Sequence, residues 1–258
     1  MTVVTLLAKA YGSFSAKGFE GVMSDLCRGL RVKTSIRNTA SFGWIEVDVS
    51  GEDEAVALNL LDREIGMAPV SADKIAKFSN VRGMVMSRDK SATELYVDIG
   101  VFEPRFRSVA VSCSCLQSQL ADGKKIPFQR LMEVFCLCDF MQLRIKVLDA
   151  LNIRMGLWEA ELSEQQLSRF ANWLDSNLDR LVVLGSTRGE IEQAVARKHH
   201  FRDVIRIETL GPFEHVVVCK LGTDAVGLMP KLGPYVGRAS LMPFSPRRVK
   251  QLVGNRSL

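Results

Sequence analysis

Glu94-Leu95-Tyr96-Val97-Asp98-Ile99-Gly100 is the stretch whose reading decides the fold. Leu95, Val97 and Ile99 alternate with Tyr96 and Asp98, the period of a strand with one apolar face. Val81-Arg82-Gly83-Met84-Val85-Met86 precedes it across the polar segment Ser87 to Thr93, so the two runs read as a hairpin. An apolar inner face with an aromatic ring on the outer face suits a small barrel whose wall stacks nucleic-acid bases.

Outward from this hairpin, the chain has room for two or three small domains in its 258 residues. Hydrophobic content of 47% with 24% charged residues is that of a water-soluble globular protein. No apolar run reaches the length of a membrane span, and the first residues lack the cationic start of a secretory signal. These features predict a cytoplasmic protein with no membrane partner.

The formal net charge is +5. Residues 1–80 carry nine Lys/Arg against ten Asp/Glu, and residues 81–150 carry ten against eight. From Gly237 onward there are five cations (Arg238, Arg247, Arg248, Lys250 and Arg256) and no acid. A basic tail of this kind is expected to touch phosphates, or else to lie in solvent.

Before the hairpin, the expected order is a strand over Val3–Ala10, a helix with Phe19, Met23, Leu26 and Leu30 on one face, strands at Val32–Ile36 and Trp44–Val49, and a helix carrying Leu58, Leu61 and Ile65. This β-α-β-β-α order predicts a ferredoxin-like layer over residues 1–78. Residues 79–150 are expected to form the barrel. Residues 151–258 are expected to form a mixed α/β domain, with capping boxes at Ser163 and Thr187 opening two helices. Short strands are expected at Leu181–Leu184, Val204–Ile207, Val216–Cys219 and Ala225–Met229, with Gly233–Pro246 irregular. The fold class is therefore α+β and multi-domain.

Gly83-Met84-Val85, Leu95-Tyr96-Val97-Asp98-Ile99-Gly100 and Leu143-Arg144-Ile145-Lys146-Val147-Leu148-Asp149 together resemble the marked strands of the OB-fold RNA-binding domain of ribosomal protein S-one. That resemblance covers about a quarter of the chain. It implies an OB-type barrel that binds single-stranded RNA, with Tyr96 where the family places a base-stacking aromatic. More loosely, the whole chain, including Cys219 to Gly227, resembles an archaeal family of unknown function.

Tyr96, Phe102, Arg105, Phe106 and Arg107 are the expected nucleic-acid contacts on the barrel, joined by Lys124 and Lys125 and by Arg247, Arg248 and Lys250 in the tail. The bland reading of Phe102 and Phe106 is that they close the end of the barrel. Cys113-Ser114-Cys115 and Cys136-Leu137-Cys138 lack the two-to-four-residue spacing of a zinc knuckle and, read as strands, put both thiols of each pair on one face. No metal or other cofactor is expected. Gly185 to Glu190 lacks the phosphate-loop pattern and reads as an ordinary helix cap. His199, His200, His215, Cys219, Asp203 and Asp224 are the remaining ingredients for catalysis, and His199 and His200 sit among cations that suit a helix end. The expectation is a non-enzymatic RNA-binding protein of cytoplasmic translation or RNA processing, with single-stranded or ribosomal RNA as partner. The rival is an interaction or assembly protein whose barrel meets a protein partner and no nucleic acid, and a third reading is an enzyme built on His215, Cys219 and Asp224.

Overall fold

A computed structural model of the chain describes residues 1–12, 14–39, 41–87, 93–149 and 157–254. Part of the hairpin connection (88–92), the expected boundary at 150 and Arg256 in the tail lie outside the described residues.

The first layer is built from β1 (Thr2–Lys9), α1 (Ala16–Leu26), β2 (Val32–Thr39), β3 (Trp44–Gly51) and α2 (Glu54–Glu64). The strands form an antiparallel sheet in the order β1-β3-β2. Ser15 starts α1 by accepting from the Gly18 N–H, which satisfies one of the donors a helix leaves free at its start. Leu6, Ala8, Ile45, Val47 and Val49 on the sheet meet Phe19, Met23, Ala57 and Leu61 on the two helices. On the free side of β1, Met67 makes an isolated bridge to Leu6.

The central unit is a closed five-strand barrel. β4 (Val70–Ser71) lies parallel to β6 at its margin, and β5 (Asn80–Met86), β6 (Glu94–Glu103), β7 (Arg107–Ser112), β8 (Gln142–Asp149) and β9 (Leu157–Leu162) close in the cyclic order β5-β6-β7-β9-β8. Every barrel pairing is antiparallel except β7 with β9. Helices α3 (Cys113–Ala121) and α4 (Phe128–Val134) lie in the chain between β7 and β8. Leu95, Val97 and Ile99 point inward as the alternation required, each at most 1% exposed. The closing strand β9 comes after residue 150, so the barrel draws on more chain than its three best-marked strands suggested. Gly100 sits at φ +75° where the β6–β7 register shifts, and a Cβ there would lie 2.7 Å from the Cβ of Ala68. Only glycine allows both the bend and that approach.

The last unit comprises α5 (Glu164–Asp175), β10 (Arg180–Leu184), α6 (Arg188–Ala196), β11 (Val204–Thr209), β12 (Glu214–Cys219), α7 (Ala225–Leu232), β13 (Ser240–Phe244) and α8 (Pro246–Val253). Its sheet runs β11-β12-β10-β13, all antiparallel. One face (Leu181, Val183, Val217) packs on α6 and α7. The other (Val182, Leu184, Val216, Phe244) joins Phe135, Phe170 and Trp173 in the same core as the barrel. The barrel and the C-terminal sheet thus share one apolar interior.

Two expectations in this unit are corrected. Ala225–Met229 is the start of α7, not a strand: the Asp224 carboxylate accepts from the Val226 N–H at 3.0 Å, and Ala225, Leu228 and Leu232 fall on one buried face. Gly233–Pro246 is not irregular throughout, because Ser240–Phe244 pairs residue for residue with β10. β13 is an edge strand, where the missing N–H of Pro243 does no harm.

Candidate nucleic-acid interface

Tyr96 stands on the outer phase of β6, opposite Met86 on β5 and Ala110 on β7. It is half-buried, and its hydroxyl donates to Glu94 Oε2 at 3.1 Å. Asp98, two residues on, shares that outer phase but is fully buried. Lys9 reaches it from the end of β1, forming a buried ion pair, and the Lys9 ammonium lies 4.6 Å from the centre of the Trp44 ring. Leu7, Trp44, Ala68 and Met84 form a closed cluster around this point, and Phe102 packs against it. The outer wall is therefore not one continuous stacking surface. The N-terminal sheet sits on its middle, separating Tyr96 from the turn between β6 and β7, and Phe102 serves the seam between the two units.

At that turn the geometry opens again. Arg105 is exposed, and the Phe106 ring lies 4.1 Å from the ring of Phe42 at an interplanar angle of 36°. Phe42 comes from the connection between β2 and β3, is 56% exposed and holds φ at +64°. A bulky residue in the left-handed region is a conformation that needs outside support. Sequence reasoning passed over Phe42, whose only local signal was a large aromatic inside a polar turn. Arg107 is half-buried, with its Nε enclosed and lacking a hydrogen-bond partner among the described residues.

Of the remaining basic residues, Lys124 meets the tail directly. Lys124 donates to the Val253 carbonyl at 2.7 Å, closing the end of α8, while Lys125 is exposed. The tail is a helix with Val249 and Val253 buried and Arg247 and Arg248 exposed. Lys250 donates to Asn177 Oδ1 at 2.6 Å. Arg247 and Lys250 line a cavity of about 590 Å3 with Asn177 and Asp179, and Arg247 and Arg248 border a neighbouring one of about 680 Å3 with Lys220. Lys124 and Lys250 thus already have structural partners, whereas Arg247 and Arg248 are exposed. On the expectation that the tail touches phosphates, replacing both with Gln should weaken RNA binding evenly across sequences and lower the salt slope by about 1.4, or about 0.7 per lost phosphate contact. A salt titration of affinity checks this, and an unchanged slope would assign both to solvent.

The thiols and the His215 imidazole are buried or half-buried. Cys113 and Cys115 lie at the start of α3, not on a strand, because Ser112 accepts from the Cys115 N–H and caps a helix there. Cys136 and Cys138 follow α4. Burial pushes the thiol of Cys136 far up, that of Cys138 up to about 11 and that of Cys219 up to about 12, which disfavours thiolate. Among the described residues, no group of three or more His, Cys, Asp or Glu side chains is placed to hold a metal ion. His215 and Cys219 lie at opposite ends of the register on β12, roughly 13 Å apart by strand rise, so they cannot share a hydrogen bond. Burial holds His215 down at about 4. Its Nε2 lies 3.3 Å from the Pro212 carbonyl, while Nδ1 has no partner among the described residues. Asp224 is occupied in capping α7. The side chains of His199 and His200 lie outside the described residues. Thr187 and Glu190 form the capping box expected from their spacing.

Similarity to known families falls on the two ends of the chain. The DUF2110 N-terminal domain matches residues 3–70 and the DUF2110 C-terminal domain matches residues 178–242, together just over half of the chain. No curated protein matches it. The barrel, with Tyr96 and Phe106, lies between the two matched segments.

Proposed function

We propose that this chain, which belongs to the DUF2110 family, is a non-enzymatic protein that binds single-stranded RNA on the outer wall of an OB-type barrel. The cyclic strand order, the parallel pair β7–β9 and the helical segment between the third and fourth strands support the OB reading. We also read the N-terminal layer as ferredoxin-like, with its fourth strand reduced to the Leu6–Met67 bridge.

One observation carries the functional reading: Phe106 and the strained, exposed Phe42 pair their rings beside the exposed Arg105. An aromatic platform next to a guanidinium offers a base a stacking face and its phosphate a partner. Tyr96 offers a second ring four residues away along β7, at roughly 13 Å. Cytoplasmic translation or RNA processing is the setting that suits such a protein.

Anisotropy of a labelled single-stranded RNA at moderate salt tests the reading. Tyr96→Ala and Phe106→Ala should each cost about 1–3 kcal/mol of affinity with folding intact. Tyr96→Phe should be nearly silent, because the ring face survives, and Arg105→Ala should add a loss that shrinks as salt rises. Absence of binding to any single-stranded RNA, with a protein partner lost on the same substitutions, would establish the interaction-protein alternative instead.

A further inference from the structure

The other outer wall of the barrel, formed by β5 and β8, carries an arrangement that packing does not explain. Arg82 and Arg144 stand directly opposite each other in the β5–β8 register. Like charges in that position repel and destabilise a sheet. Among the described residues neither pairs with a carboxylate: Arg82 donates to the main-chain carbonyl of Asp62 at 3.1 Å, with the Asp62 charge nearby, and Arg144 donates to the neutral Gln165 Oε1 at 2.9 Å. One turn along α5 from Gln165 lies Arg169, half-buried and with no hydrogen bond or ion pair among the described residues. Burial, reinforced by the charge of Arg144, lowers the proton affinity of both Arg82 and Arg169. Glu208, whose charge partly offsets this at Arg169, is already held by Arg206 at 2.6 Å.

The row continues in the other direction to an aromatic ring. Lys146, the next outward residue of β8 after Arg144, places its ammonium 5.8 Å from the centre of the Phe78 ring, and Lys77 lies 5.2 Å from the same ring. Lys146 also pairs with Glu161 at 3.3 Å. Phe78 is 58% exposed and holds φ at +64°. Its N–H donates to the Val147 carbonyl at 2.7 Å, fixing the ring at the end of β8. A strained, solvent-facing aromatic flanked by cations has no role in the core it sits beside.

We infer that Arg82, Arg144, Arg169 and Lys146 form a second track on the barrel that holds successive phosphates of a single-stranded nucleic acid, with Phe78 stacking a base at its end. The inference rests on the RNA reading above but names a different wall. Guanidinium forks match phosphate oxygens, and an incoming phosphate removes the repulsion between Arg82 and Arg144. Arg144 and Lys146 are roughly 7 Å apart along the strand, and Arg82 and Arg169 extend the row on either side, so one phosphate cannot satisfy it. An unpaired strand suits Phe78, because a base inside a duplex has no free face to stack.

The experiment is anisotropy of a 5′-fluorescein oligouridylate of about 20 nucleotides over a range of salt concentrations. The Arg144→Gln/Arg169→Gln double variant should bind roughly 10-fold more weakly at low salt, with the salt slope lowered by about 1.4. Arg144→Lys should keep the slope. Phe78→Ala should weaken binding roughly 10- to 100-fold, the range stacking is worth. The thermal midpoint of the double variant should stay level or rise, since a repulsion has been removed, which a purely structural role for these arginines does not predict. Unchanged affinity and slope in the double variant, with Tyr96→Ala still damaging, would overturn the second track and leave the first wall as the RNA site. No binding by the unaltered chain would overturn both.

Discussion

Lys9→Ala is expected to destabilise the chain by about 3–5 kcal/mol, because it strands the Asp98 carboxylate in the interior. The Asp98 side chain is 1% exposed and that of Lys9 10%, so water cannot replace the lost partner. Among the described residues Asp98 keeps one other hydrogen bond, accepting from the Gly100 N–H at 2.9 Å, and a single main-chain donor does not neutralise a buried charge. The double variant Lys9→Met with Asp98→Asn should recover most of the loss, since both charges go and the Asn carbonyl still accepts from Gly100. Urea denaturation of the two variants makes the comparison. A loss below about 1 kcal/mol for Lys9→Ala would mean that the pair is solvated and that the N-terminal sheet is not seated on the barrel.

This ion pair also marks where local sequence stops being informative. Leu95, Val97 and Ile99 were legible because a period of two survives any tertiary context that buries one face. The helix caps at Ser163 and Thr187 were legible because their donors and acceptors lie within three residues. Asp98 was not, because an acid on the outer phase of a strand reads as solvent-facing until Lys9 arrives from another unit. Ala225–Met229 misled for a different reason: a five-residue apolar run suits a strand or a buried helix equally, and the Asp224 cap decides between them. Of the candidate site, Tyr96 and the Phe106–Arg105 turn were readable as residue types in a hairpin. Phe42 and the arginine row were invisible, since Phe42 meets Phe106 only through the docking of two units and Arg82 faces Arg144 only through the register of two strands.

Glu214→Gln is expected to change how stability depends on pH, because Glu214 is a buried acid where all three units meet. Tyr11, just beyond the end of β1, stacks on Phe140 of the barrel with ring centres 3.9 Å apart and donates its hydroxyl to Glu214. Behind it, Gly12 and Gly185 touch so closely that a Cβ on Gly12 would lie 2.8 Å from the Gly185 Cα. Glu214 is fully buried, and burial pushes its carboxyl up to about 7, against the pull of the hydrogen bonds it accepts. Below about 4.5 the carboxyl is protonated in both the folded and unfolded chain, so its contribution is complete. Between about 4.5 and 7 the unfolded chain releases the proton and the folded chain keeps it, so stability falls as pH rises, by about 3 kcal/mol in all. His215, next in sequence, acts in the opposite sense. Its folded value of about 4 lies below its ordinary value, so its contribution is present above about 6.5 and is lost as pH falls. The two buried neighbours offset each other across nearly the same window, and the parent chain should be almost flat there. Removing only the acid unmasks the imidazole: Glu214→Gln should gain about 3 kcal/mol between pH 4 and 6.5 and should exceed the parent above pH 7. Denaturant midpoints at pH 5, 6, 7 and 8 give the measurement, and curves for parent and variant that run parallel would show that Glu214 is ionised in the folded chain throughout.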